Sequence, residues 1–259
     1  MKKIAAVFLA FFAACMFAAC SKTDPPPVAP AKDDHAAAER EAALRIAALV
    51  DILRAKADQG DADAQYALAS FYASGAGVKE DAKQAAVWYG KALAAYRKAA
   101  EQDDAYAQLN LCTMIGAGQG IAQDEALAAD WCRRSAEQGN DEAQYQLGVM
   151  YEEGRGVKQD DARAIAWIRK SAEQGNLYAQ RDLAERYKTK DAAQAADWYQ
   201  QAAEQGDADS QFNLGMMYEE GRGVKQDAAQ ALVWYRKAAE QGVEDAQKRL
   251  AELESKPKE

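Results

Sequence analysis

The residues of this 259-residue chain that invite a chemical reading are four cysteines, one histidine and four Gly-x-Gly turns. His35 is the single histidine, so the chain beyond it lacks the imidazole on which Ser-His and Cys-His nucleophiles and most metal sites depend. Carboxylates are plentiful, but they sit among Lys and Arg as on a solvated helix surface. These features point away from an enzyme and call for no cofactor and no metal. The pairs Gly75/Gly77, Gly118/Gly120, Gly154/Gly156 and Gly221/Gly223 have no strand before them, no third glycine at a nucleotide-binding spacing and no Gly-Lys-Ser/Thr. They read as turns between helices, and Arg155 and Arg222 project from two of them. Cys112 and Cys132 are twenty residues apart. Bridged, they would close a loop worth ~3 kcal/mol; as free thiols they would fill two small core sites.

A repeat positions the Gly-x-Gly turns and the Cys112/Cys132 pair. Ala64-Gln65, Ala107-Gln108, Ala143-Gln144, Ala179-Gln180, Ser210-Gln211 and Ala246-Gln247 mark successive copies, and a repeat decides the architecture. From the marker Gln to the next Trp is 23 residues at Trp88, Trp131, Trp167 and Trp234, but 18 at Trp198. The fourth copy has therefore lost its Gly-x-Gly loop, and its helices must connect differently. The first copy gains seven residues after Trp88. Seven residues are close to two helical turns, so a helix lengthens while its buried face stays in phase. Each copy reads as two helices. The first ends at glycines that accept a left-handed conformation. The second starts after Asp160, a good N-cap, and ends at Gln174-Gly175, with Asn176 capping the next helix. Only Asp103 stands where glycine is expected, and Asp tolerates that conformation better than most residues. The five tryptophans share one register and read as packing between hairpins rather than as an aromatic ligand box.

The Leu-Gly-x-x-Tyr-x-x-Gly-x-Gly-Val, Ala-x-x-Trp and Ala-Glu-Gln-Gly elements recur in fixed order over roughly Arg45 to Glu252. They resemble the Sel-one-like repeat (SLR) family, a branch of the tetratricopeptide-like α/α solenoids. The resemblance implies an all-α, right-handed solenoid of stacked helical hairpins, each burying its apolar face on its neighbours. It also implies a protein partner on the concave side, lined by the first helices. The residue after each marker Gln then faces that side: Tyr66, Leu109, Tyr145, Arg181, Phe212 and Lys248. The next position adds Asn110, Gln146, Asp182 and Asn213. Rings beside amides suit an extended peptide; equally, the rings can pack between neighbouring first helices.

Met1-Lys2-Lys3 and the apolar run from Ile4 to Ala19 read as a secretory signal over residues 1–19. Its end, Phe17-Ala18-Ala19-Cys20-Ser21, resembles a lipobox with Cys20 as the lipidation site, although leucine is usual at the place of Phe17. The alternative is a plain secreted chain cut nearby. Ser21 is not the Asp of inner-membrane retention, so the resemblance implies an outer-membrane lipoprotein facing the periplasm. Residues 20–34, with Pro25-Pro26-Pro27 and Pro30, form a semi-extended tether. Residues 35–60 form a capping helix, started by Asp33 or Asp34; 61–242 hold five repeats; 243–259 hold a C-terminal capping helix and tail. The net charge of −9 carries no basic block, which suits nucleic acid poorly. The functional expectation is a lipid-anchored envelope scaffold or adaptor that binds another protein. The alternative is a periplasmic immunity protein that neutralises a secreted toxin or effector.

Overall fold

The structure, a computed structural model, describes residues 32–255, and the described residues hold twelve helices and no strand. They form two compact units. The first ends at Gln102 and also takes Ala117–Gln123; the second takes Asp103–Gly116 and the residues from Asp124 onward.

In the first unit, α1 (Lys32–Asp58) packs on α2 (Ala62–Ser74), and α2 packs on α3 (Ala82–Ala100). α1 begins ahead of Asp33 and Asp34, so neither is the expected cap. Both instead fall within its first turn. α3 carries the seven inserted residues and is 19 residues long, against 13 in the corresponding helices of the other repeats. Its buried residues Ala85, Trp88, Tyr89, Ala92, Leu93, Tyr96 and Ala100 still form one face.

The second unit holds α4 (Ala105–Gly116), α5 (Glu125–Glu137), α6 (Asp141–Glu153), α7 (Asp161–Glu173), α8 (Leu177–Tyr187), α9 (Ala192–Glu204), α10 (Ala208–Glu220), α11 (Ala228–Glu240) and α12 (Glu244–Ser255). The pairs α4/α5, α6/α7, α8/α9 and α10/α11 are hairpins, and each second helix packs on the first helix that follows. Side-chain caps start these helices: Asp124, Asn140, Asp160, Asn176, Asp191, Asp207 and Asp227 each accept from a backbone N–H of the first turn. Asp103 takes the left-handed conformation at φ 62°. The second glycine of each loop serves a close approach. A Cβ on Gly156 would lie 1.9 Å from the Glu125 carbonyl oxygen, and one on Gly223 would lie 2.0 Å from that of Ala192.

The fourth repeat closes its shortened turn on a bond the other repeats also use. Asp191 N–H donates to the Tyr187 carbonyl at 2.8 Å, as Asp160 donates to Tyr151 and Asp227 to Tyr218 at 2.9 Å. The loop is lost, its closure is kept, and the preceding helix ends at Tyr187 with a right-handed cap at Lys188 instead of a left-handed glycine.

The marker glutamines form a buried polar ladder. Gln144, Gln180 and Gln211 each donate to the carbonyl eight residues earlier, on Ala136, Ala172 and Ala203, at 3.1 Å. Their carbonyl oxygens accept from Gln174, Gln205 and Gln241 at 2.7–2.8 Å. One side chain thus ties together the previous repeat and both helices of its own. Four residues beyond the marker, the two helices of a hairpin meet at the residue after tryptophan. A Cβ on Gly148 would strike Ile168 at 2.6 Å, and one on Gly215 would strike Tyr235 at 2.8 Å. In the second repeat the same two registers hold Cys112 and Cys132, joined by a disulfide with Cα atoms 5.1 Å apart.

The tryptophans are not equally buried. Trp88 and Trp234 are in the core, while Trp131, Trp167 and Trp198 are partly exposed. Four of the five rings lie under a cation three residues later: Lys91, Arg134, Lys170 and Lys237 sit 3.8–4.7 Å from the ring centres.

Candidate partner-binding site

The positions after each marker Gln are half-buried in all five repeats: Tyr66, Leu109, Tyr145, Arg181 and Phe212. This follows from helix geometry. The residue before the marker, the marker itself and the residues three and four beyond it point into the hairpin, so the next residues along the turn reach its edge. Lys248 on α12 is exposed.

In the second unit two of these residues, Tyr145 and Arg181, build a continuous step with Tyr178. Tyr145 on α6 stacks on Tyr178 of α8 with ring centres 6.3 Å apart, and Arg181 lies 5.8 Å from the Tyr178 ring. Arg181 is then held by Asp207 at 3.5 Å and Asp209 at 3.8 Å. Burial, with the nearby Asp182 charge, pushes the Tyr145 hydroxyl above its ordinary range, so the ring presents a neutral phenol. Further along, Phe212 packs on Tyr235 at 5.7 Å. Phe212, Met216, Tyr235, Lys248 and Arg249 line a cleft of about 350 Å³. Burial first, then the hydrogen bond to Glu219, raises the Tyr235 pKa.

The amide positions divide. Asn213 accepts from Lys188 at 3.0 Å and donates to the Asp209 carbonyl. Gln146 donates to Glu142, and its carbonyl oxygen lies 3.7 and 3.8 Å from the two disulfide sulfurs. Asn110 donates to the carbonyl of Tyr106, four residues back on its own helix. Tyr66, in the first unit, meets the Tyr89 ring edge-on at 5.6 Å. Cys20 lies outside the described residues.

Several residues at this surface escaped the reading of the marker row. Tyr178 is 46% exposed and stands two residues before its marker, where Asp63, Glu142, Asp209 and Asp245 are acids. Tyr106 occupies the same register and is also exposed. An aromatic at an otherwise acidic surface register was a readable signal. Two ionic clusters each join a locally spaced pair to a distant acid, and spacing does not report the distant partner. Arg186 bonds Glu152 at 2.7 Å and Asp182 at 2.6 Å. Arg249 bonds Glu219 at 2.5 Å and Glu252 at 2.7 Å. The Glu152 hydrogen bond is the main cause that holds Arg186 in its charged form. The surface thus combines stacked phenols, a cleft lined by rings and charges, and paired ions.

Consecutive helical hairpins of this kind define an α/α solenoid. The Sel1 repeat matches residues 62–95, 105–140, 141–176, 177–207 and 208–243, and the chain belongs to the Sel1 repeat family, a protein-interaction scaffold. Among solved structures it is similar to a protective antigen of uropathogenic Escherichia coli displaying an SLR fold, at 35% identity over 85% of this chain, with a TM-score of 0.60. The chain spans 50% of the length of that protein. It is similar to a Sel1 repeat protein from Oxalobacter formigenes at 31% identity, over 78% of this chain and 68% of that one, with a TM-score of 0.61. An immunity protein from Pseudomonas aeruginosa shares the fold at 21% identity, over 83% of each chain, with a TM-score of 0.52. No curated protein matches the chain.

Proposed function

We propose that this chain is a scaffold or adaptor of a bacterial cell envelope, anchored through a lipid on Cys20 at the outer membrane and facing the periplasm. It binds a protein partner through the residues that follow the marker glutamines. The observation that carries this reading is the Tyr145–Tyr178–Arg181 step, where aromatic and guanidinium faces are left partly open on two adjacent first helices. Such side chains dominate binding energy at protein interfaces. The Phe212 cleft extends the same chemistry, lined by Phe212, Met216 and Tyr235 beside Lys248, Arg249 and four acids. The Cys112–Cys132 disulfide supports an oxidising compartment. The acidic chain with no basic block favours a protein over a nucleic acid.

The experiment is capture from solubilised envelopes with the Ser21–Glu259 form, followed by titration of the recovered protein against Tyr178→Ala, Tyr145→Ala and Phe212→Ala. Tyr178→Ala is expected to weaken binding by roughly thirtyfold, the effect of losing about 2 kcal/mol at a hot spot. Its melting temperature should hardly move, because the ring is half exposed. Normal binding by all three variants, with early melting of the Tyr145 and Phe212 variants, would reduce these rings to packing and end the proposal. A recovered toxin or effector would replace the scaffold reading with the immunity reading. Cys20→Ser should leave an uncleaved precursor without lipid label; labelling and processing like the parent would remove the anchor.

A further inference from the structure

α1 is built as the second helix of a repeat. Its Ala57-Asp58-Gln59-Gly60 matches the Ala-Glu-Gln-Gly that ends the others, which puts Ile52 at the tryptophan register, Leu53 at the register after it and Leu49 three before it. Two contacts verify that alignment. Gln65 donates to the Ala57 carbonyl, as the other marker glutamines do to theirs. A Cβ on Gly77 would meet Ile46, six residues before the tryptophan register, where Gly156 meets Glu125 and Gly223 meets Ala192. In each repeat the face of the second helix at these registers is closed by its own first helix: Ala85, Ala128, Ala164, Ala195 and Ala231 are all buried. On α1 that face is open, with Leu49 40% and Ile52 57% exposed.

α12 shows the converse. It is a first helix, with Gln247 as the marker donating to Ala239. Four residues on, Ala251 is exposed, whereas Ala69, Cys112, Gly148, Ala184 and Gly215 at that register are buried. Leu250 is half-exposed, whereas Leu68, Leu111, Leu147, Leu183 and Leu214 are fully buried.

We propose that these are complementary half-repeats: α12 of one copy packs on α1 of a second copy and completes a composite repeat between them. The small Ala251 then faces Leu53, as Ala184 and Gly215 stand opposite Tyr199 and Tyr235. Leu49 with Ile52 fills about the combined volume of the usual alanine and tryptophan, a swap that cores tolerate. Gln59 reaches Gln247 as Gln174 reaches Gln144. Charge agrees as well. Ser135 and Ser171 donate to Ala105 and Asp141. The same two registers hold Lys56 and Glu244 at the open ends, so a cation meets an acid. α1 already packs on α2, and α12 on α11, in the manner of neighbouring repeats, so the join continues a stacking that both copies possess. The contact is head-to-tail, and head-to-tail contacts extend into rings or open arrays.

The disulfide of the second repeat supplies the test, because Leu53 and Ala251 occupy its two registers. The full chain carrying Leu53→Cys and Ala251→Cys is oxidised and run without reductant. A reducible series of dimers and higher species is expected, while a mixture of the two single variants should stop at a mixed dimer. Ile52→Glu, at a position open in the single chain, should cut the cross-linked fraction severalfold with unchanged helical circular dichroism. Lys56→Glu and Glu244→Lys should each lower it, and their combination should restore it. If the cysteine pair disturbs folding, sedimentation of the chain without added cysteines decides: association must rise with concentration and be lost in Ile52→Glu. A bond between positions 53 and 251 of one chain overturns the proposal. So do symmetric 53–53 dimers alone, or a cross-linked fraction indifferent to Ile52→Glu and to the charge exchange. An unreacted monomer, as when a segment outside the described residues covers α1, overturns it too.

Discussion

Replacing Gln144 by methionine removes the polar ladder at one rung while keeping the side chain's length and volume. Gln144 is 5% exposed, donates to the Ala136 carbonyl at 3.1 Å and accepts from Gln174 at 2.7 Å. Each such bond contributes about 0.5–1.5 kcal/mol net, and the Ala136 carbonyl keeps the Gly139 N–H at 3.1 Å, so no buried carbonyl is orphaned. The expected loss of the two bonds is therefore about 1–3 kcal/mol, or roughly 2–12 °C in melting temperature for a protein of this size. The same substitution at Gln65 should behave differently. The insertion in α3 carries the terminal glutamine of the first repeat away, and Gln65 Oε1 is buried without a partner. Methionine there loses one bond, to Ala57 at 3.0 Å, and also removes an unsatisfied buried oxygen that costs about 1–3 kcal/mol. The two effects nearly cancel. Urea unfolding followed by tryptophan fluorescence measures the totals, and amide exchange in α6 and α2 localises them, since repeat arrays can open in parts. Equal losses at both positions, or a neutral Gln144→Met, would refute the ladder as a source of stability.

Gly223→Ala should lower the melting temperature well beyond Gly206→Ala. Both positions lie at positive φ, where alanine costs about 1–2 kcal/mol, but only at Gly223 would the new Cβ strike a backbone oxygen; similar melts would deny the close approach. Cys112→Ala with Cys132→Ala should cost ~3 kcal/mol in denaturant. Cys112→Gly with Cys132→Ile, which copies the Gly148/Ile168 contact, should recover part of that loss, and a result below the double alanine would sink the register argument. Burial is the first cause that raises the tyrosine pKa values of Tyr66, Tyr145, Tyr199 and Tyr235. The folded state therefore holds these protons more tightly than the unfolded chain, whose tyrosines ionise at about 10. This stability is complete below that pH and declines as the pH rises past it. Ultraviolet titration should show a late phase, ionising above the ordinary range or only on unfolding, that shrinks when Tyr66, Tyr145, Tyr199 or Tyr235 is replaced by Phe; uniform ionisation near about 10 with intact helicity would contradict it.

Much of the fold was legible because each repeat punctuates itself. Asp160 and Asn176 cap, Gly154 and Gly175 take positive φ, and Asp103 substitutes for a glycine, all at positions set by local backbone chemistry. The helix-lengthening insertion was legible from its seven residues. The start of α1 was not, because Lys32, Asp33 and Asp34 suit a first turn as well as they suit a cap. The excised turn in the fourth repeat could be counted, but not the fact that it closes on the same Tyr187 carbonyl, since that depends on a path through space. The candidate surface was half legible. The row after the markers follows from helix periodicity, while Tyr178, Arg186 and Arg249 act through neighbours about thirty residues away in sequence. No local pattern reports such contacts.

Packing leaves a particular register open to variation. Counted from the marker, the residues before it, at it, and three and four beyond it are buried in every repeat. Their identities are confined accordingly: Ala or Ser, then Gln, then Leu, then one of Ala, Cys or Gly. The contact four residues on is met by three solutions, a small residue against tyrosine, glycine against isoleucine, and the cystine, because only the summed bulk across the hairpin is fixed. The residues one and two beyond the marker carry no such constraint. They read Tyr-Ala, Leu-Asn, Tyr-Gln, Arg-Asp and Phe-Asn, and each reaches the edge of the hairpin half-buried. A partner-specific surface can therefore change at these positions without disturbing the ladder beneath them. That separation explains why the Tyr145 step and the Phe212 cleft differ in chemistry while the helices that carry them share one register. It also assigns the two kinds of test to different residues: stability is read at the markers, and the proposed recognition is tested at the positions that follow them.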